Sequence, residues 1–271
     1  MAQKVREFLD AISITEAFDD EAPDVTLFDQ VGRFAKTASE HIGGLLWVAR
    51  GTRPDISTAV QMLSTRVRQW TAYEDRLLER LYGYLAFSRL VCLEQRVHPG
   101  DFQVLAIIAH VDADHGGDLF TTRSRSGWAV SLDGPRSHAL IGWCSKQQGA
   151  TGKSTGDNEV TSVSDAISTN AESIRCAFEQ MVDRDVWLIL RSDADAAIGA
   201  IHKGYSRKMS YLRRTQRVSI GFLHDFVGDE HTALKKVHTD SNDSDVLTKS
   251  LEKEAHWRHS FAMGMRPIEE N

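Results

Sequence analysis

The chain has 271 residues, 41% hydrophobic and 26% charged, enough for one large core or two ordinary ones, which excludes disordered, collagenous and disulfide-scaffolded chains. Its net charge of −6 is concentrated at the start, where Met1–Gln30 carries two cations against eight acids; the remainder is therefore balanced and can meet a polyanion locally. No apolar run approaches the roughly 20 residues that cross a bilayer, no secretory leader is visible, and Cys92, Cys144 and Cys176 form no C-x-x-C pair, so an intracellular protein, cytoplasmic or nuclear, with no membrane contact is expected.

Residues 1–25 read as an acidic, solvated leader with a helical tendency around Val5–Ile12. From Phe28 to Leu90 apolar residues recur at helical spacing, as in Ile42, Leu45, Leu46 and Ala49, then Ile56, Val60, Leu63 and Val67, then Leu77, Leu78, Leu81, Tyr84 and Leu85. Three or four helices fit residues 26–98, with Pro54 in the first turn of one of them. At His98-Pro99-Gly100-Asp101 the pattern changes to strand and turn, marking a domain boundary. Val104–Asp112, Ser126–Leu132 and His138–Ser145 read as an antiparallel meander. A helix over Asp157–Asp183, a strand over Val186–Leu190, helices over Ala194–His202 and Tyr211–Val227, a strand over Thr232–His238 and a helix over Asp243–Lys253 follow. Residues 101–255 thus form a second domain and 256–271 a tail. Strands first and then alternating elements imply an α/β mixed five-stranded sheet with helices on its faces. Ligands of such sheets gather outside the carboxyl ends of the strands.

Four acids fall where that topology can gather them: Asp112 at the end of the first strand, Asp193 at the end of the fourth, Glu159 near the start of the long helix and Asp245 at the start of the last one. Carboxylates so close repel one another unless cations neutralise them. All-oxygen ligation selects Mg²⁺ or Mn²⁺, and two such ions about 3.5–4 Å apart suit in-line phosphodiester hydrolysis. Taken singly, each acid reads better as a helix cap or surface charge, and Asp114, Asp118, Asp157, Asp195 and Asp243 compete for the same roles.

These residues lie in motifs that follow one another in a known order. Val111-Asp112-Ala113-Asp114-His115-Gly116-Gly117-Asp118, Arg125-Ser126-Gly127-Trp128, Trp143-Cys144-Ser145-Lys146-Gln147-Gln148, Ser154–Glu159, Ser192–Ile198 and Thr239–Lys249 resemble the ribonuclease H domain of copia-type LTR retrotransposon Pol polyproteins. Upstream, Gly43–Ala49 with Thr52-Arg53-Pro54-Asp55-Ile56, and Leu81–Leu85, resemble the end of that family's reverse transcriptase, its thumb or connection region. The resemblance implies a ribonuclease H-like fold after a small helical domain. It also implies metal-dependent cleavage of the RNA strand of RNA–DNA hybrids, with Asp112, Glu159, Asp193 and Asp245 as ligands of two Mg²⁺ or Mn²⁺ ions. The polymerase domain of the same element would be a partner. Two departures stand out: Gly156 sits just before Glu159, and His115 replaces a tryptophan.

A hybrid is gripped through its backbone and 2′-hydroxyls. Lys203–Arg217 supplies cations without an acid, and Arg207, Lys208, Arg213, Arg214 and Arg217 are the candidate contacts, against the plainer reading of a solvated face. His238 precedes Asp245 and is a candidate for proton transfer, against an ordinary strand-end histidine. Trp128 and Trp143 read as core rather than stacking platforms. Two alternatives to the nuclease are a catalytically inactive nucleic-acid-binding or structural remnant of a Pol protein and, less well supported by the order of the acids, an integrase-type transposase.

Overall fold

A computed structural model describes residues 25–118 and 120–268, so the leader expected over residues 1–25 lies, apart from Val25, outside the described residues. The first part is helical because apolar side chains return every three to four residues. Helix α1 (Ala38–Gly51) buries Ala38, Ile42, Leu45 and Ala49, α2 (Ser57–Arg66) buries Val60 and Leu63, and α3 (Ala72–Phe87) buries Leu78 and Leu81. These faces close on one core with Ile56 and Trp70. Pro54 opens the short 3-10 turn Pro54–Ile56 that leads into α2. Thr71 begins α3 with a reciprocal cap, its own N–H donating to Glu74 Oε2 at 2.7 Å.

The second part is built on five strands: β2 (Ala106–Ala113), β3 (Arg125–Gly134), β4 (Ser137–Gln147), β5 (Leu188–Ser192) and β6 (Thr232–Lys236). They follow β1 (Val91–Leu93), which lies apart, and are ordered β4-β3-β2-β5-β6 across the sheet. The meander β2, β3, β4 is antiparallel, whereas β5 runs parallel to β2 and β6 parallel to β5. This is the mixed five-stranded sheet expected from the order of the elements. Seven of the eight residues of β2 are buried, as a central strand covered on both faces must be.

One face is covered by α4 (Thr155–Ala166) and α5 (Glu172–Val182), joined by a π-helical turn over Ile167–Ala171. Asn170 in that turn accepts the indole N–H of the buried Trp128 at 2.8 Å. On the other face Ala129 and Leu140 of the sheet pack with Val246, Leu247 and Met263. Trp143, on β4, donates its indole N–H to Ala49 O of α1 at 2.8 Å, so both tryptophans serve packing and joining.

Two expected helices are interrupted. After α6 (Asp195–Lys203), the stretch Tyr211–Val227 forms α7 (Leu212–Thr215) and α8 (Ile220–Val227), because Arg217 adopts a left-handed φ of 60° and the Ser219 hydroxyl caps α8 at Phe222 N. The stretch Asp243–Lys253 begins as a 3-10 turn, Asp243–Leu247, and regular helix starts only with α9 (Lys253–Ala262). Asn242 Nδ2 donates to Val111 O at 3.1 Å, and the Thr248 hydroxyl donates to the Asp112 carboxylate on β2, so side chains draw this turn onto the sheet. The stretch set apart as a tail holds most of α9, with Trp257 fully buried, and β7 (Met265–Pro267), which pairs antiparallel with β1.

Gly127 on β3 explains how the turn approaches so closely: a Cβ there would lie 2.5 Å from Thr248 Cγ2 and 2.9 Å from Leu247 Cβ. Gly127→Ala is expected to cost about 1–3 kcal/mol of stability by overpacking, measured as a lower urea midpoint at unchanged slope.

Candidate metal centre and nucleic-acid interface

Asp112 stands one residue before the end of β2, Asp193 directly follows β5, and Asp245 lies in the 3-10 turn pressed against the sheet. Because β2 and β5 are parallel neighbours, both deliver their acids at the same carboxyl end. Carboxylate oxygens of Asp112, Asp193 and Asp245 lie within 4.8 Å of one another, Asp112 and Asp245 being buried and Asp193 half-buried. Glu159, on α4, is not in that group of three but is 3% exposed and feels both Asp112 and Asp193.

The electrostatics follow from crowding and burial. Burial raises the Asp112 carboxyl above its ordinary range, with Lys249 and the Thr248 hydroxyl pulling it back. Burial, then the charges of Asp112 and Asp193, push Glu159 up to about 9. Burial and Asp112 push Asp245 up to about 7 against the pull of Lys249. Glu159 Oε2 and Asp245 Oδ1 are buried without a hydrogen-bond partner. Converging carboxylates with unpartnered oxygens fit a hard divalent cation; Asp112, Asp193 and Asp245 can hold one, and Glu159 is placed to add a further oxygen.

The competing acids have other partners. Asp114 accepts Arg125 N at 2.5 Å, and Asp118 accepts the N–H groups of Phe120 and Thr121 at 3.1 and 2.7 Å. Asp157 is bound through Oδ2 by the Tyr211 hydroxyl and Lys153 N, its Oδ1 being buried without a partner, Asp195 is bound by Lys236, and Asp243 Oδ2 lies 3.8 Å from His110 Nε2.

Two further residues belong to the centre. The Thr248 hydroxyl donates to Asp112 Oδ2, and Lys249 Nζ lies 3.0 Å from Asp245 Oδ2 and 3.8 Å from Asp112 Oδ2. Both stand at the end of the Thr239–Lys249 motif, but neither was singled out from the sequence. Asp193 accepts from Thr239 Oγ1 at 2.7 Å. The adjacent His238 is exposed, and its Nδ1 accepts from Asp240 N at 3.3 Å, so its ring caps a turn.

Arg207, Lys208, Arg213, Arg214 and Arg217 are all exposed, whereas Met209, Leu212 and Val218 between them are buried anchors. This strip rests on the start of α4. Tyr211 reaches Asp157, Gln216 Nε2 donates to Ala150 O at 2.7 Å, and Met209 packs on Gly156. A Cβ at Gly156 would stand 2.8 Å from Met209 Cε, the mobile end of a flexible side chain, and 3.3 Å from Ala196 Cβ.

No family model matches the chain. It is 25% identical over 229 residues to the retrovirus-related Pol polyprotein from transposon TNT 1-94 of Nicotiana tabacum, a match covering 83% of this chain and 16% of that protein. It is 33% identical over 106 residues to a putative transposon Ty5-1 protein of Saccharomyces cerevisiae, covering 39% of this chain and 32% of that one. A solved structure of the foamy viral protease-reverse transcriptase in complex with RNA/DNA hybrid aligns with 86% of this chain and 27% of its own, at 11% identity and a TM-score of 0.45.

Removing Lys249 should leave Asp112 and Asp245 unscreened. Lys249→Met is therefore expected to melt at a lower temperature without divalent ions and to gain more from added Mg²⁺ than wild type, read in paired thermal melts. The chain spans about a sixth of the tobacco polyprotein's length, and its homologues, over most of its own length, are the retrovirus-related Pol polyproteins of transposons.

Proposed function

We propose that this chain is a Pol-derived ribonuclease H that hydrolyses the RNA strand of RNA–DNA hybrids, with residues 101–255 as the nuclease domain and 26–98 as a helical thumb- or connection-like domain. The observation that carries the reading is the convergence of Asp112, Asp193 and Asp245, from three distant stretches of chain, within 4.8 Å at the strand ends. In it, Asp112, Glu159, Asp193 and Asp245 bind two Mg²⁺ or Mn²⁺ ions. When bound, such ions supply an activated water and stabilise the leaving oxygen of a phosphodiester. Asp112, central to the group, is held in place by Thr248, and Lys249 screens Asp112 and Asp245. The exposed strip Arg207, Lys208, Arg213, Arg214 and Arg217 binds phosphates without reading bases, and its seat on α4 sets its register to Glu159. The polymerase domain of the same element is the proposed protein partner. Among the described residues no helix is long and apolar enough to cross a membrane.

The test is incubation with a hybrid labelled on its RNA strand, with and without Mg²⁺. Wild type is expected to cut only with the ion, and Asp112→Asn or Asp193→Asn to fall to the metal-free level while keeping the native circular dichroism spectrum. Mg²⁺-dependent thermal protection without any cleavage would favour the inactive remnant instead. Arg213→Ala with Arg214→Ala should weaken hybrid binding and flatten the slope of log K against log salt by about one for each phosphate no longer neutralised. Binding titrations over a salt series measure this.

A further inference from the structure

Asp245 differs from the other acids in its support. It sits on neither a strand nor a regular helix but on the 3-10 turn Asp243–Leu247. On the sheet side that turn is tied by Asn242 to Val111 O and by Thr248 to Asp112. On the opposite side it meets the helical part of the chain, and packing there is incomplete. A cavity of about 230 Å³ lies along the seam, bordered by Thr58, Met62, Leu77, Val246, Lys249 and Leu251. The contact that spans the seam is directional: the Thr58 hydroxyl donates to Val246 O at 2.6 Å, with both residues buried. That carbonyl belongs to the residue following Asp245.

Thr58 stands three residues after Asp55, which anchors a buried polar chain at the entry to α2. Arg53 forks onto Asp55, Nε to Oδ1 at 2.9 Å and Nη2 to Oδ2 at 2.7 Å, and reaches Ser88 Oγ at 2.6 Å. The Tyr84 hydroxyl donates to Asp55 Oδ2 at 2.5 Å and lies 3.3 Å from His256 Nε2 on α9, the helix that follows the Asp245 turn. A buried polar chain of this kind holds geometry because each member left unpaired would carry a desolvation cost.

We infer that Thr58 is a positioning residue for Asp245: the helical part of the chain sets the divalent-ion affinity of the carboxylate cluster through the Thr58–Val246 hydrogen bond. The inference rests on the metal-centre reading above. Supporting groups around metal ligands commonly alter affinity by about 10–100-fold when removed.

The experiment measures Mn²⁺ binding to the whole chain, without nucleic acid, by the loss of the free-ion electron paramagnetic resonance signal. Thr58→Val, which keeps the shape and removes the donor, is expected to weaken binding about tenfold, and Thr58→Ser to restore it. Tyr84→Phe, which loosens the chain anchored by Asp55, should shift affinity in the same direction and decides the matter if Thr58→Val does not fold. Leu63→Ala, in the helical core, is the comparator: it should lower the melting temperature and leave Mn²⁺ affinity unchanged. Equal affinity in wild type and Thr58→Val, or in wild type and Tyr84→Phe should the valine variant not fold, overturns this inference alone, as does an equal loss in Leu63→Ala. No saturable Mn²⁺ binding by wild type overturns the metal-centre reading and this inference with it.

Discussion

Mutual repulsion among buried carboxylates is the constraint around which the second half of this chain is arranged. Asp112 and Asp245 lie with the half-buried Asp193 within 4.8 Å of one another, and the buried Glu159 feels the charge of Asp112 and Asp193. Thr248 and Lys249 answer part of that repulsion, and the unpartnered oxygens of Glu159 and Asp245 mark the part left over. The surrounding acids Asp114, Asp118, Asp157 and Asp195 are each bound by other partners, although Asp114 still feels the charge of Asp112. A centre of this kind is costly to a folded protein unless a ligand compensates it.

One glycine makes the arrangement sterically feasible. Gly127 lets Leu247 and Thr248 come down on β3 so that the threonine reaches Asp112. Gly156 is a weak residue for a helix by propensity, and nothing in its surroundings requires it. The Ser154 hydroxyl, accepting from Asp157 N at 3.4 Å, caps the helix that the glycine would otherwise weaken.

How much of this was legible in the sequence varied with the kind of information needed. The five strands and the helical first part could be read because apolar periodicity reports burial directly. Asp112, Asp193 and Asp245 could be nominated because strand ends locate ligand sites, yet periodicity could not separate them from Asp114 or Asp195, whose partners Arg125 and Lys236 are supplied by tertiary structure. Lys249 went unassigned because a lysine is by default a solvated charge, and only the fold shows it among acids. The two broken helices failed for local reasons. Arg217 takes a backbone conformation rarely adopted by non-glycine residues, and the Asp243–Leu247 turn is shaped by side-chain hydrogen bonds that hydropathy does not record.

The pairing of β1 with β7 bears on the order in which the molecule can assemble. Val91–Leu93 follows the helices directly, but its partner Met265–Pro267 lies at the far end of the described chain; the bond from Thr58 to Val246 is of similarly long reach. Contacts between residues so distant along the chain are slow to form and incur their loop-closure entropy late. During synthesis the three helices leave the ribosome long before the residues that complete their outer edge. The β1–β7 pair therefore closes only once translation has passed residue 267, after every residue of the carboxylate cluster has been made.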